Sequence, residues 1–136
     1  MHSKFAYIWI DFKYISMDFE LNEEQKLIKE AASDFARQVL SPTVIERDET
    51  QTFPTEEIKQ LAGLGFMGMM VDPAYGGSGL DTMSYVLAME ELSKIDAAAS
   101  VIMSVNNSLV CWGLEKYGSS QQKEKYLPDL CNGTKI

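Results

Sequence analysis

The chain has 136 residues, 46% of them apolar and 24% charged, which is typical of one globular domain with a core and excludes extensive disorder. Its formal net charge of -8 at pH 7 opposes binding to nucleic acids and to anionic membrane surfaces. Two cysteines and one histidine are too few for a multi-bridge disulfide framework or a thiolate metal site, and we expect reduced thiols in a cytoplasmic compartment.

The first sixteen residues lack the sequence pattern of the helical domain that follows them. They carry a short apolar run, Phe5–Ile10, that Asp11 interrupts. This run is too short for a signal-peptide core, and no small-residue cleavage site follows it. We therefore interpret residues 1–16 as an extension that is disordered or not native. Met17 is then the natural start of a domain that spans residues 17–136.

The first helix is predicted from Asn22, because Asn22 and Gln25 form a capping box and acidic residues follow the cap. Apolar residues recur at three-to-four-residue spacing up to Pro42, which ends or bends the helix. The predicted buried stripe consists of Ile28, Ala31, Ala32, Phe35 and Val39. A second, short helix is predicted from Pro54 through Leu61.

Two glycine-rich stretches follow. Gly63–Gly68 matches the G-x-G-x-x-G pattern of dinucleotide-binding loops. That loop must follow a strand and open a helix, whereas here a helical pattern precedes it. We interpret the stretch as the carboxyl end of a helix. Asp72–Gly79 predicts a compact loop that is scaffold first and the edge of a ligand site second.

A third helix is predicted after Asp81, which is a favourable N-cap residue. Its apolar face consists of Tyr85, Ala88, Met89, Leu92 and Ile95, and its charged face of Glu90, Glu91 and Lys94. Neighbouring helix positions point about 100° apart, so Glu90 and Glu91 cannot flank one substrate bond. A solvated or salt-bridged face is the preferred interpretation.

The segment Ala97–Leu114 contains no charged residue, which predicts a central helix of the bundle that is covered on nearly every side. It is polar enough to argue against a transmembrane span. The polar residues are Ser100, Ser104, Asn106, Asn107 and Ser108. Each needs a hydrogen-bond partner when buried. From the residues alone, neighbouring backbone is the favoured partner, and a pocket with a polar ligand is the alternative.

The last helix is predicted from a second capping box, Ser119 with Gln122, and ends at Asn132-Gly133. Together these elements predict an all-α fold, an up-and-down helical bundle.

Three motifs then succeed one another: Tyr75-Gly-Gly-Ser-Gly-Leu-Asp81, Ala88-Met-Glu-Glu-Leu-Ser-Lys-Ile-Asp96 and Gln122-Lys-Glu-Lys-Tyr-Leu-Pro128. In this order and spacing the chain resembles the acyl-CoA dehydrogenase family from about Met17 to Ile136. Ser104-Val-Asn-Asn-Ser-Leu109 resembles the short-chain, butyryl-type branch. The resemblance implies that this is the amino-terminal helical domain. The middle β domain and the carboxyl-terminal helical domain of the family are absent from the sequence.

The family's activity follows as an expectation. The resemblance implies FAD-dependent α,β-dehydrogenation of short-chain acyl-CoA, in which a carboxylate of the last domain removes the α-proton and the β-hydrogen leaves as hydride to FAD. It also implies electron-transfer flavoprotein as partner and a homotetramer. Flavin is held mainly by the other two domains. We therefore predict no catalytic residue and no metal ligand here, leave the cofactor-binding residues unassigned, and expect the fragment to be inactive alone.

The resemblance assigns the uncharged helix to the wall of the acyl-chain pocket, which favours the pocket interpretation of this segment. By position, Val105, Ser108 and Leu109 are the predicted acyl contacts, with Ile102 and Trp112 as further candidates. Two alternatives stay open. One alternative to the dehydrogenase is a stand-alone helical interaction module that docks on a flavoprotein. The other is part of a related flavin oxidase of the same superfamily.

Overall fold

The structure is a computed structural model that describes residues 19–136. The predictions about the extension at residues 1–16 and the start at Met17 lie outside the described residues. Between residues 19 and 136 the chain forms helices and turns and contains no strand. The predicted all-α bundle is confirmed.

Seven α-helices are described: α1 (Glu23–Phe35), α2 (Val44–Thr50), α3 (Thr55–Gly63), α4 (Thr82–Ser93), α5 (Ala97–Ser104), α6 (Trp112–Tyr117) and α7 (Ser120–Cys131). A π-helical turn, Ala36–Leu40, extends α1, and short 3₁₀ turns lie at Phe66–Gly68 and Pro73–Tyr75. A π-helical segment, Val105–Cys111, joins α5 to α6. Ala97–Tyr117 is therefore one continuous helix of 21 residues, called the central helix below.

The predicted helix starts are confirmed. The Asn22 side chain accepts from the Gln25 N–H at 2.8 Å, and the Gln25 side chain accepts from the Asn22 N–H at 3.1 Å. Ser119 and Gln122 form the same box before α7, and Asp81 accepts from the Ser84 N–H at 2.7 Å. The exposed N–H groups of each first turn thereby gain partners.

The main core lies between α1, α3, α4, the central helix and the segment around the 3₁₀ turn Phe66–Gly68. Gln25 of α1 donates to Asp81 at the start of α4 at 2.8 Å, and Lys29 contacts Glu91 near the end of α4. The two helix starts are thus in contact, and the later part of α1 contacts the later part of α4, so the two helices run in the same direction. The segment containing α2 and α3 leads the chain back between them. A short turn reverses the chain from α4 into α5, so those two helices are antiparallel.

The buried stripe of α1 differs in part from the prediction. Ala32 and Phe35 are buried and Ile28 and Val39 pack against the core, but Ala31 is exposed. Ala36 and Leu40 are buried instead. The helix widens at this point, since the Ser41 N–H bonds to the Ala36 carbonyl five residues earlier. The wider turn brings positions 36 and 40 to the core side.

Helix α2 was not predicted, and it has no buried residue of its own. Its Arg47 side chain, 10% exposed, holds it in place with one hydrogen bond to Asp96 (2.7 Å) and an ion pair to Glu57 of α3 (3.1 Å). Asp96 also accepts from the Ala99 N–H at 2.9 Å and so caps the central helix. This ion-pair cluster of Arg47, Glu57 and Asp96 therefore fixes the start of the central helix against α2 and α3.

The environment of Glu91 decides between the two interpretations of the charged face of α4, and it is not the solvated one. Glu91 is buried (8% exposed) and forms a salt bridge to Lys94 at 2.8 Å. The hydrogen bond from Lys94, the positive charge of Lys94 and a further hydrogen bond from Ser33 hold the pKa of Glu91 below its usual range, against the effect of burial. The salt-bridged interpretation is confirmed for this residue.

Candidate functional site

The central helix has one side in the core and one side open. Ala99, Met103, Asn107 and Cys111 are all buried. Val101, Val105, Leu109 and Trp112 are 58%, 42%, 67% and 49% exposed, and together they form the exposed stripe. The prediction that this helix is covered on nearly every side is therefore wrong for the described residues. An absence of charge indicates an apolar surface, but it does not specify that the domain itself covers that surface.

The four buried residues, and Val101, Val105 and Leu109 of the exposed stripe, recur every four residues, which is more than the roughly 3.6 residues of an α-helical turn. A regular α-helix would rotate the later members away from the earlier ones. The π-helical segment removes this drift, since the Trp112 N–H reaches the Asn107 carbonyl, five residues earlier. The widened turn keeps Leu109 in line with Val101 and Val105.

The predicted acyl contacts lie largely on this open side. Val105, Leu109 and Trp112 belong to the exposed stripe, and half-buried Ser108 flanks it. The Ser108 hydroxyl donates to the Ser104 carbonyl at 2.8 Å, so the helix backbone satisfies it. Ile102 is different, because it packs against the main core.

Beyond Trp112, the stripe continues as an aromatic pair. The rings of Trp112 and Tyr117 meet edge to face with centroids 5.9 Å apart, and Tyr117 is 76% exposed. Such a pair rigidifies a large apolar area at the surface of the domain. An exposed apolar surface of this kind marks a site of contact with another group.

The buried side of the helix carries two adjacent asparagines. Asn107 donates to the carbonyls of Phe66 (2.8 Å) and Met103 (2.9 Å) and accepts from the Met69 N–H (2.8 Å). Both N–H donors and the oxygen of the Asn107 side-chain amide thereby have partners.

Asn106 makes a similar set of contacts one position earlier. It donates to the carbonyls of Met67 at 2.7 Å and Leu130 at 3.2 Å. The backbone-partner explanation favoured from the residues alone is confirmed for both asparagines. Sequence reasoning did not predict that these partners belong to the 3₁₀ turn at Phe66–Gly68 and to α7, about 40 and 24 positions away.

The glycine-rich stretches are structural. Gly65 has φ +82° and begins the 3₁₀ turn that the asparagines hold, so the dinucleotide-binding interpretation, which needs a preceding strand, fails as predicted. In the Asp72–Gly79 loop, a Cβ at Gly77 would strike the Val71 carbonyl. The Asp72 N–H donates to Glu115 at 2.9 Å and ties this loop to α6. The loop is scaffold, in agreement with the first of its two interpretations.

A second, smaller apolar cluster lies under α7 and contains both cysteines, with Val71 and Leu127. Cys111 and Cys131 are free and buried. The hydrogen bond with Cys131 and then burial raise the pKa of the Cys111 thiol. A thiol with a raised pKa is a poor nucleophile, so Cys111 is a packing residue. Residues 19–136 contain no group of three His, Cys, Asp or Glu side chains that could hold a metal ion.

Two concavities of the described surface lie away from the exposed stripe. One of about 620 Å³ is walled by Arg47, Asp96 and neighbouring residues of α2 and α5. Another of about 540 Å³ is walled by three cationic and three acidic side chains of α1 and α4. Neither includes a predicted acyl contact. The exposed stripe is thus an open wall of this domain and not a closed pocket within it.

The central helix also meets the length and composition of a membrane span, with mean hydropathy 1.3, and is alone in this among the described residues. One such helix is weak support for membrane insertion, since core helices of other proteins pass the same test. About a third of the span is buried inside the domain, and both asparagines on that side have partners.

A family model and similar proteins of known function identify the same family. Residues 22–134 match the family model described as acyl-CoA dehydrogenase, N-terminal domain. The chain is 41% identical over 120 residues to a short-chain specific acyl-CoA dehydrogenase of Clostridium acetobutylicum, covering 88% of this chain and 32% of that protein. It thus spans about a third of the length of that relative.

Solved structures agree. The butyryl-CoA dehydrogenase of Megasphaera elsdenii superposes with a TM-score of 0.83 at 41% identity, covering 88% of this chain and 32% of that one. A chain from the structural study of the electron transferring flavoprotein of Acidaminococcus fermentans superposes with a TM-score of 0.85 at 42% identity, covering 88% and 32%.

Proposed function

The chain belongs to the acyl-CoA dehydrogenase family, as its amino-terminal domain, and from this premise we propose that it is part of an FAD-dependent enzyme that dehydrogenates short-chain acyl-CoA thioesters. In this reaction the α,β carbon–carbon bond of the acyl group becomes a double bond. Because the chain covers only 32% of the similar enzyme, the activity is that of a larger protein. The isolated chain is inactive.

One observation carries this proposal: the exposed stripe of the central helix. Alkyl groups bind against apolar walls that also exclude water. Each helical residue rises about 1.5 Å, so Val105 and Leu109 stand about 6 Å apart along the helix axis. Their apolar side chains, with the Ser108 methylene beside them, present a wall without a charge for the acyl chain.

Other parts of the complete enzyme supply the chemistry. FAD, when bound, accepts the β-hydrogen as hydride, and a carboxylate supplied by another domain removes the α-proton. No residue of this chain is assigned to either step, and no flavin contact is assigned here. The role of the domain is to bind the acyl chain, orient it and exclude water from it.

Several further properties are part of the proposal. The electron acceptor of the complete enzyme is an electron-transfer flavoprotein, which is supported by the similarity to a chain from the study of such a flavoprotein. The complete enzyme is a cytoplasmic homotetramer. It binds neither nucleic acid nor membrane, which is supported by the net charge of -8.

The exposed stripe also supports a second candidate function, a stand-alone helical module that docks on a flavoprotein. An apolar surface of this kind binds protein as readily as an alkyl chain. A third candidate keeps the flavin and the acyl-CoA but delivers the electrons to oxygen, as a flavin oxidase does.

One experiment separates these functions. The complete polypeptide that contains this chain is purified and assayed with butyryl-, octanoyl- and palmitoyl-CoA, with electron-transfer flavoprotein or oxygen as acceptor. We expect bound FAD, fastest turnover of butyryl-CoA and electron-transfer flavoprotein as the better acceptor. Equal turnover with oxygen supports the oxidase. A protein that binds no flavin and oxidises no acyl-CoA refutes the proposal and favours the docking module.

A further inference from the structure

We propose that Asn107, together with Asn106, positions the acyl wall and so sets the acyl-chain-length preference of the enzyme. This inference rests on the function proposed above and assigns a role to residues on the opposite side of the helix from the acyl chain. The two asparagines are 2% and 4% exposed, and they do not touch substrate. They are positioning residues and not catalytic or binding residues.

The first step of the argument is that Asn107 has no polar atom left for a ligand. Its amide nitrogen donates to the Phe66 and Met103 carbonyls, and its oxygen accepts from the Met69 N–H, all at 2.8–2.9 Å. A buried amide with two filled donors and a filled acceptor has its orientation fixed by its surroundings. Its amide therefore serves to hold the helix against the surrounding segments.

The second step is what the amides connect. The asparagines attach the helix to the 3₁₀ turn Phe66–Gly68, to Met69 just after it and to α7 through three carbonyl groups and one N–H. That turn is itself held, because the Ser78 N–H donates to the Gly68 carbonyl at 2.9 Å. In addition, a Cβ at Gly68 would overlap Cys131 of α7. The helix is thus anchored to a closely packed support.

The third step is where along the helix the anchor lies. Asn106 and Asn107 fall inside the π-helical segment Val105–Cys111, between the proposed acyl contacts Val105 and Leu109. A π-helical turn has poorer packing than an α-helical one and persists where its surroundings enforce it. We assign this role here to the contacts of the two asparagines. Rotation of the segment would turn Leu109 away from its line with Val105.

The test is a variant of the complete flavoprotein in which the anchor to the 3₁₀ turn is cut while the Met103 carbonyl keeps a donor. In Asn107→Ser, the new hydroxyl donates to the Met103 carbonyl four residues earlier, as Ser108 already does to Ser104. The bonds to Phe66 and Met69 are lost. One methylene of an acyl chain is discriminated by roughly 10- to 200-fold in a fitted apolar pocket. We expect the preference for butyryl-CoA over hexanoyl-CoA, as a ratio of kcat/KM values, to fall by about tenfold.

The matched control is Ser100→Ala. Ser100 is also buried on the core side of the central helix and bonds to Ser93 at 2.7 Å, but it lies outside the π-helical segment. Its loss destabilises the protein without moving the acyl wall, so the ratio stays at the wild-type value. A purely structural role of Asn107 would lower the yield of active enzyme and leave the ratio unchanged.

The outcomes are distinct. An unchanged ratio in Asn107→Ser, in an enzyme whose wild type prefers butyryl-CoA, overturns this inference and leaves the proposed function intact. A wild type that oxidises no acyl-CoA overturns both. If Asn107→Ser does not fold, Asn106→Ser, which releases only the Met67 and Leu130 carbonyls, is measured in the same way. An unchanged ratio there also contradicts the inference.

Discussion

Replacing Leu109 with alanine shortens the most exposed side chain of the exposed stripe. Leu109 is 67% exposed, so the substitution removes little buried area. We expect the free energy of unfolding to fall by less than about 1 kcal/mol. If the stripe is the acyl wall, the truncation frees space for about three carbon atoms. Each methylene that moves from water into that space contributes about 0.8 kcal/mol.

Hexanoyl-CoA has two more methylenes than butyryl-CoA, so the gain is about 1.6 kcal/mol, or about fifteenfold in kcat/KM. The assay measures kcat/KM of the complete enzyme for both substrates, in wild type and in Leu109→Ala. Ile45→Ala is the control, because Ile45 is 72% exposed but lies on α2, outside the stripe. The same substrate ratio in wild type and Leu109→Ala would refute the assignment of the stripe as the acyl wall.

Three further predictions concern stability. Asp96→Ala removes a helix cap and one of the two acidic partners of half-buried Arg47, so urea unfolding of the domain should show a loss of about 3 kcal/mol; a loss below about 1 kcal/mol would contradict the role of the ion-pair cluster. The pKa of Glu91 is lowered by Lys94, so its stabilisation is complete above about pH 4.5 and is lost as pH falls through the folded pKa. The stability difference between wild type and Glu91→Gln should therefore shrink in acid, and a constant difference would be evidence against the ion pair. Gly77→Ala should lower the thermal midpoint because its Cβ meets the Val71 carbonyl, whereas Gly63→Ala, with open space around it, should not; equal midpoints would be inconsistent with the packing of the loop.

Local signals in the sequence predict much of the fold. The capping boxes at Asn22 and Ser119 and the cap at Asp81 act within four residues, so the helix starts follow from the sequence. The α2 helix was missed because it buries no apolar residue, and Arg47 holds it through acidic partners 10 and 49 positions away. Such distant pairs leave no local pattern.

For the central helix, a local signal was present in the sequence but was interpreted incorrectly. Its lack of charge predicted burial on all sides, yet Val101, Val105 and Leu109 are exposed. The four-residue spacing of Ala99, Met103, Asn107 and Cys111 was the available signal for a single buried face and a widened turn. The partners of the asparagines could not be predicted, since the turn that receives their hydrogen bonds is about 40 positions away.

The central claim is that this chain is the acyl-binding wall of a larger flavoenzyme. The most direct test is to purify the protein from its natural source and record its intact mass, its visible spectrum and the change of that spectrum on anaerobic addition of butyryl-CoA. We predict a yellow polypeptide much heavier than 15.3 kDa whose flavin absorbance is bleached by butyryl-CoA. A colourless 15.3 kDa protein, or a flavin that butyryl-CoA leaves oxidised, would contradict the account.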